Sequence, residues 1–172
     1  ITVEGNDNVG GLFGKISNTY TGIIKLENLD SNAKVNANSY VGALAGNIAN
    51  VSVGDITLNK LFAKGQVNAS NDFVGGIAGA LSGTLSNNLT ADELSSDVEV
   101  NGRNYTGVLT GKADYLVLNN AAITGKIGGL NYTGGLIGQA NNSVINHTYA
   151  YAKPIDYLNN YGGLIGNISN TT

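Results

Sequence analysis

A seven-residue glycine motif recurs six times along this chain. Each copy places two glycines four residues apart around a small residue or valine, then leucine or isoleucine, then any residue. The copies are NVGGLFG, YVGALAG, FVGGIAG, YTGVLTG, YTGGLIG and NYGGLIG, starting near residues 8, 40, 73, 105, 132 and 160. Their first glycines, at spacings of 32, 33, 32, 27 and 28 residues, are Gly10, Gly42, Gly75, Gly107, Gly134 and Gly162. This period predicts a single repeat array over residues 1–172.

Each repeat can be divided into three short extended pieces. The first is the glycine motif itself. The second is a short apolar run, at residues 53–58, 84–86, 115–118 and 143–145. The third alternates apolar and polar residues, at 33–37, 64–69, 97–101 and 124–127, which is typical of strands with one buried face. The strongest helical pattern is at 89–96, where Thr90 would cap a turn or two that begins with Asp92 and Glu93.

The fold class predicted from these pieces is all-β, a parallel β-solenoid (β-helix) of about five coils with roughly three short strands per coil. A single coil cannot bury its apolar side, whereas stacked coils can. Equivalent residues of neighbouring coils would lie about 4.8 Å apart. One predicted apolar ladder contains Leu12, Leu44, Ile77, Leu109, Leu136 and Leu164, and a second, aromatic ladder contains Tyr40, Phe73, Tyr105 and Tyr132. The sequence leaves open which ladder points inward, and a bulge at the Gly-Gly pair would place both on one side.

Three interpretations of the repeated glycines are open. They provide a positive φ, they allow close approach of the backbone at a corner, or they mark turns without strain. Under the first reading, Gly42, Gly75 and Gly134 would tolerate alanine badly.

The motifs YVGALAG, FVGGIAG and YTGGLIG resemble the GLUG repeat of bacterial immunoglobulin A1-cleaving metallopeptidases and of large bacterial and archaeal surface proteins. In the metallopeptidases that repeat lies outside the catalytic part. The resemblance extends from Asn8 to Gly166, and the fourth copy departs from it at Val108 and Thr110. It implies an extracellular or cell-surface location and an adhesive or structural role, and it transfers no catalytic residue.

Composition narrows the classes of partner. The chain has 25 Gly, one Pro and no Cys, with a formal net charge of -3 and 12% charged residues. Arg103 is the sole arginine and no basic run occurs, which argues against a nucleic-acid partner. Without cysteine there is no disulfide and no thiolate metal site. No apolar run approaches the roughly 20 residues of a membrane-spanning helix.

The sequence offers little for catalysis, and we predict no catalytic, cofactor or metal residue. His147 is the single histidine, without an HExxH pattern. No copy of the glycine motif continues into the GK[ST] of a phosphate-binding loop. The densest carboxylates, Asp92, Glu93, Asp97 and Glu99, are either a Ca²⁺ site or a solvated acidic loop.

Asparagine is frequent, and nine Asn-x-Ser/Thr sequons occur. About four would be expected by chance from 26 Asn and 24 Ser plus Thr in 172 residues. The candidate N-glycosylation sites are Asn50, Asn68, Asn88, Asn104, Asn131, Asn141, Asn146, Asn167 and Asn170. The alternative is that Asn, Ser and Thr share turn preferences and stack in ladders between coils.

Three functions follow as hypotheses. The first is a non-catalytic structural protein that assembles into a filament, stalk or cell-envelope layer through stacked parallel strands. The second is an adhesin module that binds a host protein or glycan, with Tyr149, Tyr151 and Tyr157 as contact residues. The third is a polysaccharide-active β-helix enzyme. The terminal repeats are as apolar as the central ones, so we expect end-to-end or side-by-side self-assembly, or flanking repeats of a longer chain, rather than an isolated monomer.

Overall fold

The chain folds as an all-β parallel solenoid with three sheets, which confirms the predicted fold class. The computed structural model describes residues 1–155 and 159–172, and every regular element in those two ranges is a β-strand. Strands of successive repeats lie side by side and pair in parallel throughout. Five complete coils and a further partial coil are stacked in this way.

Sheet 1 contains the strands that open each repeat. They are β2 (Asp7–Gly10), β5 (Ser39–Gly42), β8 (Asp72–Gly75), β12 (Asn104–Gly107), β16 (Asn131–Gly134) and β20 (Tyr161–Gly162). Sheet 2 follows one corner later, with β3 (Phe13–Asn18), β6 (Ala45–Asn50), β9 (Ala78–Ser82), β13 (Thr110–Asp114), β17 (Ile137–Asn141) and β21 (Ile165–Ser169). The glycine motif is therefore two short strands joined at a corner.

Sheet 3 contains the longest strands. It is formed by β1 (Thr2–Glu4), β4 (Ile24–Ala37), β7 (Ile56–Ala69), β10 (Leu89–Asp92), β11 (Ser95–Asn101), β14 (Leu116–Asn119), β15 (Ala122–Gly128), β18 (Val144–Asn146) and β19 (Tyr149–Pro154). A residue with left-handed backbone bends each of the five long rungs at the same place: Asn28, Lys60, Glu93, Asn120 or His147, with φ of 48–55°.

Two local predictions are wrong. Residues 89–96 form no helix, because Leu89 and Ala91 are buried while Thr90 between them is exposed, and β10 pairs with β7 at this period of two. Residues 53–55 and 84–86 lie in connections rather than in strands, and the strands of those coils begin at Ile56 and Leu89. At 89–96 the pairing of β10 with β7 outweighs the local helical pattern. At 84–86 the backbone hydrogen bonds between Thr84 and Asn87 form a turn.

The leucine ladder points inward. Leu44, Ile77, Leu109 and Leu136 have 0% exposure, and their neighbours in the core come from all three sheets. The aromatic ladder lies half-buried on the outside, with its four rings stacked at centroid distances of 4.8, 5.0 and 5.0 Å. The stacking covers the faces of the inner rings, so this ladder ties neighbouring coils together along the surface.

The first glycine of the motif is required by close approach, not by a positive φ. A methyl group on Gly75 would lie within 3.0 Å of backbone atoms of Ala78, Leu109 and Thr110, and Gly42 and Gly134 are similarly enclosed. The positive φ belongs instead to the residue two positions earlier: Asn8, Tyr40, Phe73, Tyr105, Tyr132 or Asn160, with φ of 48–62°. Each corner therefore requires a left-handed backbone at one residue and a glycine two residues later.

The unequal repeat lengths arise at one corner. Between the paired ends of sheet 2 and sheet 3, five residues connect the strands in the first and second coils (19–23 and 51–55), and six do so in the third (83–88). The same connection is one residue, Tyr115, in the fourth coil and two residues, Asn142 and Ser143, in the fifth. The repeat spacing falls from 32 to 27 residues where the connection shortens.

Two buried threonines provide a stability test. Thr106 and Thr133 continue a fully buried column formed by Val41 and Val74, and neither hydroxyl has a hydrogen-bond partner within residues 1–155 and 159–172. Replacing either threonine by valine keeps the shape and removes a buried polar group without a partner. We expect Thr106→Val and Thr133→Val each to raise the free energy of unfolding by about 1 kcal/mol, measured from urea unfolding curves.

Thr110→Val is the matched control for this experiment. Thr110 is equally buried, but its hydroxyl donates to the carbonyl oxygen of Lys112 at 3.0 Å. We expect this variant to be less stable than the wild type, because the Lys112 carbonyl loses its side-chain donor. A loss of stability in Thr106→Val as large as that in Thr110→Val would contradict the assignment.

Candidate functional site

The two open edges of the stack are the candidate functional site. Strands β2 and β3 stand at one end of sheets 1 and 2, and β20 and β21 stand at the other end. Each of these strands pairs with one neighbour within the described parts of the chain, so one row of backbone donors and acceptors faces outward. Such edges are templates for pairing with a further strand.

The ladder side chains are also uncovered at the edges. Leu12 is 44% exposed and Leu164 is 39% exposed, although the four members between them are fully buried. Ile168 at 57% and Tyr161 at 37% add to the apolar surface of the last rung. The same residue type that stabilises the interior therefore faces solvent at both ends.

The edge strands carry few charges, which are the usual defence against edge-to-edge pairing. Asp7 and Lys15 are the charged residues of β2 and β3, and residues 159–172 contain none. Both edges are therefore suited to accept another coil of the same kind.

Polar ladders on the outer surface run toward the edges. Asn68 donates to Asn36 at 2.9 Å and Asn101 donates to Asn68 at 3.1 Å, in register across three coils. A second ladder joins Asn104 to Asp72 at 2.7 Å and Asn131 to Asn104 at 3.0 Å. Asn68 and Asn104 each donate toward one neighbouring coil and accept from the other, so these ladders tie the central coils together.

The predicted sequons mostly fall in these ladders or in the interior. Asn50 is buried and donates to Gly54, and side-chain donors to other asparagines or aspartates are Asn68, Asn104, Asn131, Asn141, Asn146 and Asn170. Asn167 is half-buried in β21, and Asn88 is exposed in the 83–88 connection. N-glycosylation stays a prediction, for which Asn88 has the most open position.

The four carboxylates considered for Ca²⁺ do not converge. No group of three His, Cys, Asp or Glu side chains comes together in the described part of the chain. Asp92 accepts from Asn120 at 2.8 Å, and Asp97 is exposed on the outer face of β11. Glu93 occupies the bend of sheet 3, one rung below Asn120, and His147 occupies the same bend two rungs above Glu93.

Glu99 has a structural role in the outer face of sheet 3. The Lys126 ammonium donates to its carboxylate at 3.3 Å and Gln66 donates at 2.9 Å. The hydrogen bond from Lys126 is the largest effect and holds the pKa of Glu99 below its ordinary value. Burial, the next largest effect, opposes it, and a weaker hydrogen bond from Gln66 adds to the lowering.

The depressed pKa of Glu99 predicts a small pH dependence of stability. Because the folded-state pKa is below the unfolded one, the contribution is present above the unfolded pKa and is lost as the pH falls through the folded pKa. We expect Glu99→Gln to flatten this part of the acid-unfolding curve, measured as the free energy of unfolding against pH. An unchanged slope in the variant would contradict the assignment, and the effect is small because the pair is solvent-accessible.

The exposed tyrosines proposed as adhesive contacts are found on one face. Tyr149 (61% exposed) and Tyr151 (66% exposed) alternate along β19 and lie over Ala122 and Thr124 of the previous coil. Tyr157 lies outside the described residues.

One exposed apolar group was not predicted from the sequence. Its members in the long connections of the first three coils are Tyr20, Ile23, Val51, Val53 and Leu85, each between 56% and 83% exposed. Val53 and Leu85 lie in the apolar runs 53–58 and 84–86, which the sequence assigned to extended pieces, so their exposure was not apparent.

Comparison with known proteins gives no relative. No family model, curated protein or solved structure matches this chain. The resemblance to GLUG repeats therefore stays a prediction from the motif. The described residues contain no helix long and apolar enough to cross a membrane.

Proposed function

We propose that this chain is a non-catalytic structural element of the cell exterior, whose coils stack end to end into a filament, stalk or envelope layer. The observation that carries the proposal is the ladder exposed at both ends. Leu12 and Leu164 are 44% and 39% exposed, whereas Leu44, Ile77, Leu109 and Leu136 are fully covered by the coils above and below.

Covering these ends supplies a driving force for assembly. Burying a fully exposed leucine side chain stabilises by roughly 1.5–3 kcal/mol, and covering the exposed two fifths of Leu12 or Leu164 contributes a corresponding part of this. Each added coil also pairs the outward row of backbone groups. The leucine ladder itself sets the register, since an added coil would place leucine on leucine. The partner is therefore another coil of this type, from a flanking repeat of a longer chain or from a second copy.

The geometry of the contact favours open assemblies. One end of a solenoid pairs with the opposite end of the next, so the two surfaces differ and the contact is heterologous. Repetition of such a contact along a straight axis gives filaments rather than closed dimers. The cell-surface location is supported by the GLUG resemblance.

Charged substitution at the edges tests the proposal. Leu12→Lys and Leu164→Lys place an ammonium where the next coil would stack, while the exposed position lets that ammonium reach water. We expect the double variant to stay dispersed under conditions in which the wild type forms long assemblies, measured by light scattering and negative-stain electron microscopy. Thr90→Lys, on the outer face of sheet 3, is the control and should assemble normally. Equal assembly of the edge variant and the control would refute the proposal.

A second candidate function is adhesion to a glycan through Tyr149 and Tyr151. The observation in its favour is that both rings are more than half exposed on one strand, above small residues, unlike the mutually covered rings of the aromatic ladder. A glycan-array signal lost in a Tyr149→Ala, Tyr151→Ala double variant, and kept in Tyr20→Ala, would support adhesion. Loss of the signal in both the double variant and Tyr20→Ala, or no signal in the wild type, would argue against adhesion through these two tyrosines.

A further inference from the structure

The three long connections form one raised surface, which we name the ledge. It consists of residues 19–23, 51–55 and 83–88, stacked over the corner between sheets 2 and 3 in the first three coils. In the fourth and fifth coils, this corner is turned by one and two residues, which leaves a lower surface. We name that surface the recess, residues 115–117 and 142–145.

The ledge is ordered by its polar side chains. Asn18 donates to the carbonyl oxygens of Gly22 at 2.8 Å and Asp55 at 3.1 Å, which joins the first connection to the second. The Ser52 hydroxyl donates to the carbonyl oxygen of Tyr20, and Asn87 donates to that of Gly54 at 3.2 Å. The polar groups are therefore used within the ledge, and they hold the three connections against one another.

The apolar side chains of the ledge are left to solvent. Tyr20 and Leu85 are 80% and 83% exposed, and Val53 and Ile23 are 71% and 62% exposed. This is the reverse of an ordinary surface loop, in which polar side chains face water and apolar ones pack below. Exposed apolar side chains concentrated on three adjacent connections, rather than scattered singly, mark an interaction site.

The ledge and the recess are alike in composition, since both are nearly uncharged and carry apolar side chains. The ledge has one charged residue, Asp55, and the recess has none. Tyr115, Val117 and Ile145 of the recess are half-buried, and Val144 is 36% exposed. Although the chain carries a net charge of -3, two such surfaces from separate copies meet with little like-charge repulsion.

The ledge and the recess hold complementary positions along the solenoid axis. Sheet 2 has six rungs, and the step from long to short connections falls between the third and the fourth. A two-fold axis through this step, perpendicular to the solenoid axis, places the third connection of one copy over the fourth coil of the other, and the second connection over the fifth coil. Both copies then bury the same surface, as an isologous contact requires.

We propose that the ledge of one chain docks into the recess of a second copy, giving an antiparallel, side-by-side pair. Ledge and recess together hold 20 exposed or half-buried residues per copy, at the lower end of the roughly 20–30 residues a side of a stable protein interface. The contact is separate from the end-to-end stacking of the proposed function, because it uses the side of the coils and leaves both edges free.

The mass of an edge-blocked protein tests this pairing. The Leu12→Lys and Leu164→Lys substitutions are expected to prevent end stacking, so any remaining association in this background occurs through the sides of the coils. We expect this protein to sediment at twice the monomer mass, and additional Val53→Lys and Leu85→Lys substitutions to halve that mass. Both positions are more than two thirds exposed, so the variants should fold, with unchanged circular dichroism as the check. Tyr151→Lys, equally exposed but off the ledge, should keep the doubled mass.

Cysteine cross-linking tests the antiparallel orientation. The chain has no cysteine, so single substitutions report one contact each. A mixture of the Val53→Cys and Val144→Cys proteins in the same background should give mainly the mixed disulfide, since the second coil of one copy lies over the fifth coil of the other. Predominant Val53→Cys self-pairing would indicate a parallel pair and overturn the orientation. A monomeric mass for the edge-blocked protein, or a doubled mass that survives the ledge substitutions, would overturn the proposal itself, whichever way the end-stacking experiment turns out.

Discussion

Leu44→Asp and Ile77→Asp are each expected to abolish soluble folding. Both positions have 0% exposure and lie within the continuous ladder that contacts all three sheets. A carboxylate there has no partner in the ladder, and burying it costs several kcal/mol or forces the group to remain protonated. Because a domain of this kind is stable by only about 5–15 kcal/mol, that cost is comparable to its whole stability. Soluble yield and far-ultraviolet circular dichroism measure the result.

Lys64→Asp is the control for the ladder substitutions. Lys64 is exposed on the outer face of β7, between Asn32 and Asp97 of the neighbouring coils. An aspartate at this position faces one like charge in water, which costs at most about 1 kcal/mol. Equal tolerance of Leu44→Asp and Lys64→Asp would show that the ladder does not form the core.

Gly75→Ala is expected to destabilise the fold by about 3 kcal/mol or more, the upper range for overpacking a close-packed interior. The added methyl group would meet backbone atoms of Ala78, Leu109 and Thr110. These atoms belong to the same corner and to the coil above, so relief requires moving two coils apart. The measurement is the free energy of unfolding from urea titration.

Gly22→Ala is the matched control for the corner glycine. An added methyl group at Gly22 has no atom within 4 Å among the described residues, and its φ is not in the left-handed region. We expect Gly22→Ala to be neutral or slightly stabilising, since alanine restricts the unfolded chain. A similar loss of stability at Gly22 and Gly75 would show that the corner glycines are not selected by close approach.

The repeat spacing was sufficient to predict the architecture, and the reason is physical. Six copies of one motif at nearly constant spacing can bury their apolar faces together by stacking in register. The structure confirms the two features that this stacking predicts, the parallel sheets and the leucine ladder through Leu44 and Ile77. The alternating segments at 33–37, 64–69, 97–101 and 124–127 also lie in strands of sheet 3, as predicted.

What the sequence could not show is where the chain bends. The φ of 55° at Tyr40 and 62° at Phe73 is unusual for aromatic residues and is imposed by the corner that Gly42 and Gly75 permit. The step in spacing from 32 to 27 residues was visible in the sequence, but the corner that loses the residues became identifiable only from the strand register.

The edges and the ledge were only partly predictable. Apolar terminal repeats indicated open ends, and exposure of Leu12 and Leu164 agrees with that expectation. The ledge depends on three connections far apart in sequence that come together through stacking, with side chains such as Ser52 and Asn87 turned toward neighbouring coils. No single connection carries that information by itself.

Electron cryomicroscopy of the assembled protein tests the central claim most directly. If coils continue across molecules, the filament axis coincides with the solenoid axis. The power spectrum of the filament images should then show a strong layer line at about 4.8 Å, the spacing of neighbouring strands along that axis. The Leu12→Lys, Leu164→Lys protein should give no such filaments. Separate single molecules of the wild type at all concentrations, with the outward amides of edge strands β3 and β21 exchanging much faster than those of β9, would contradict end-to-end stacking.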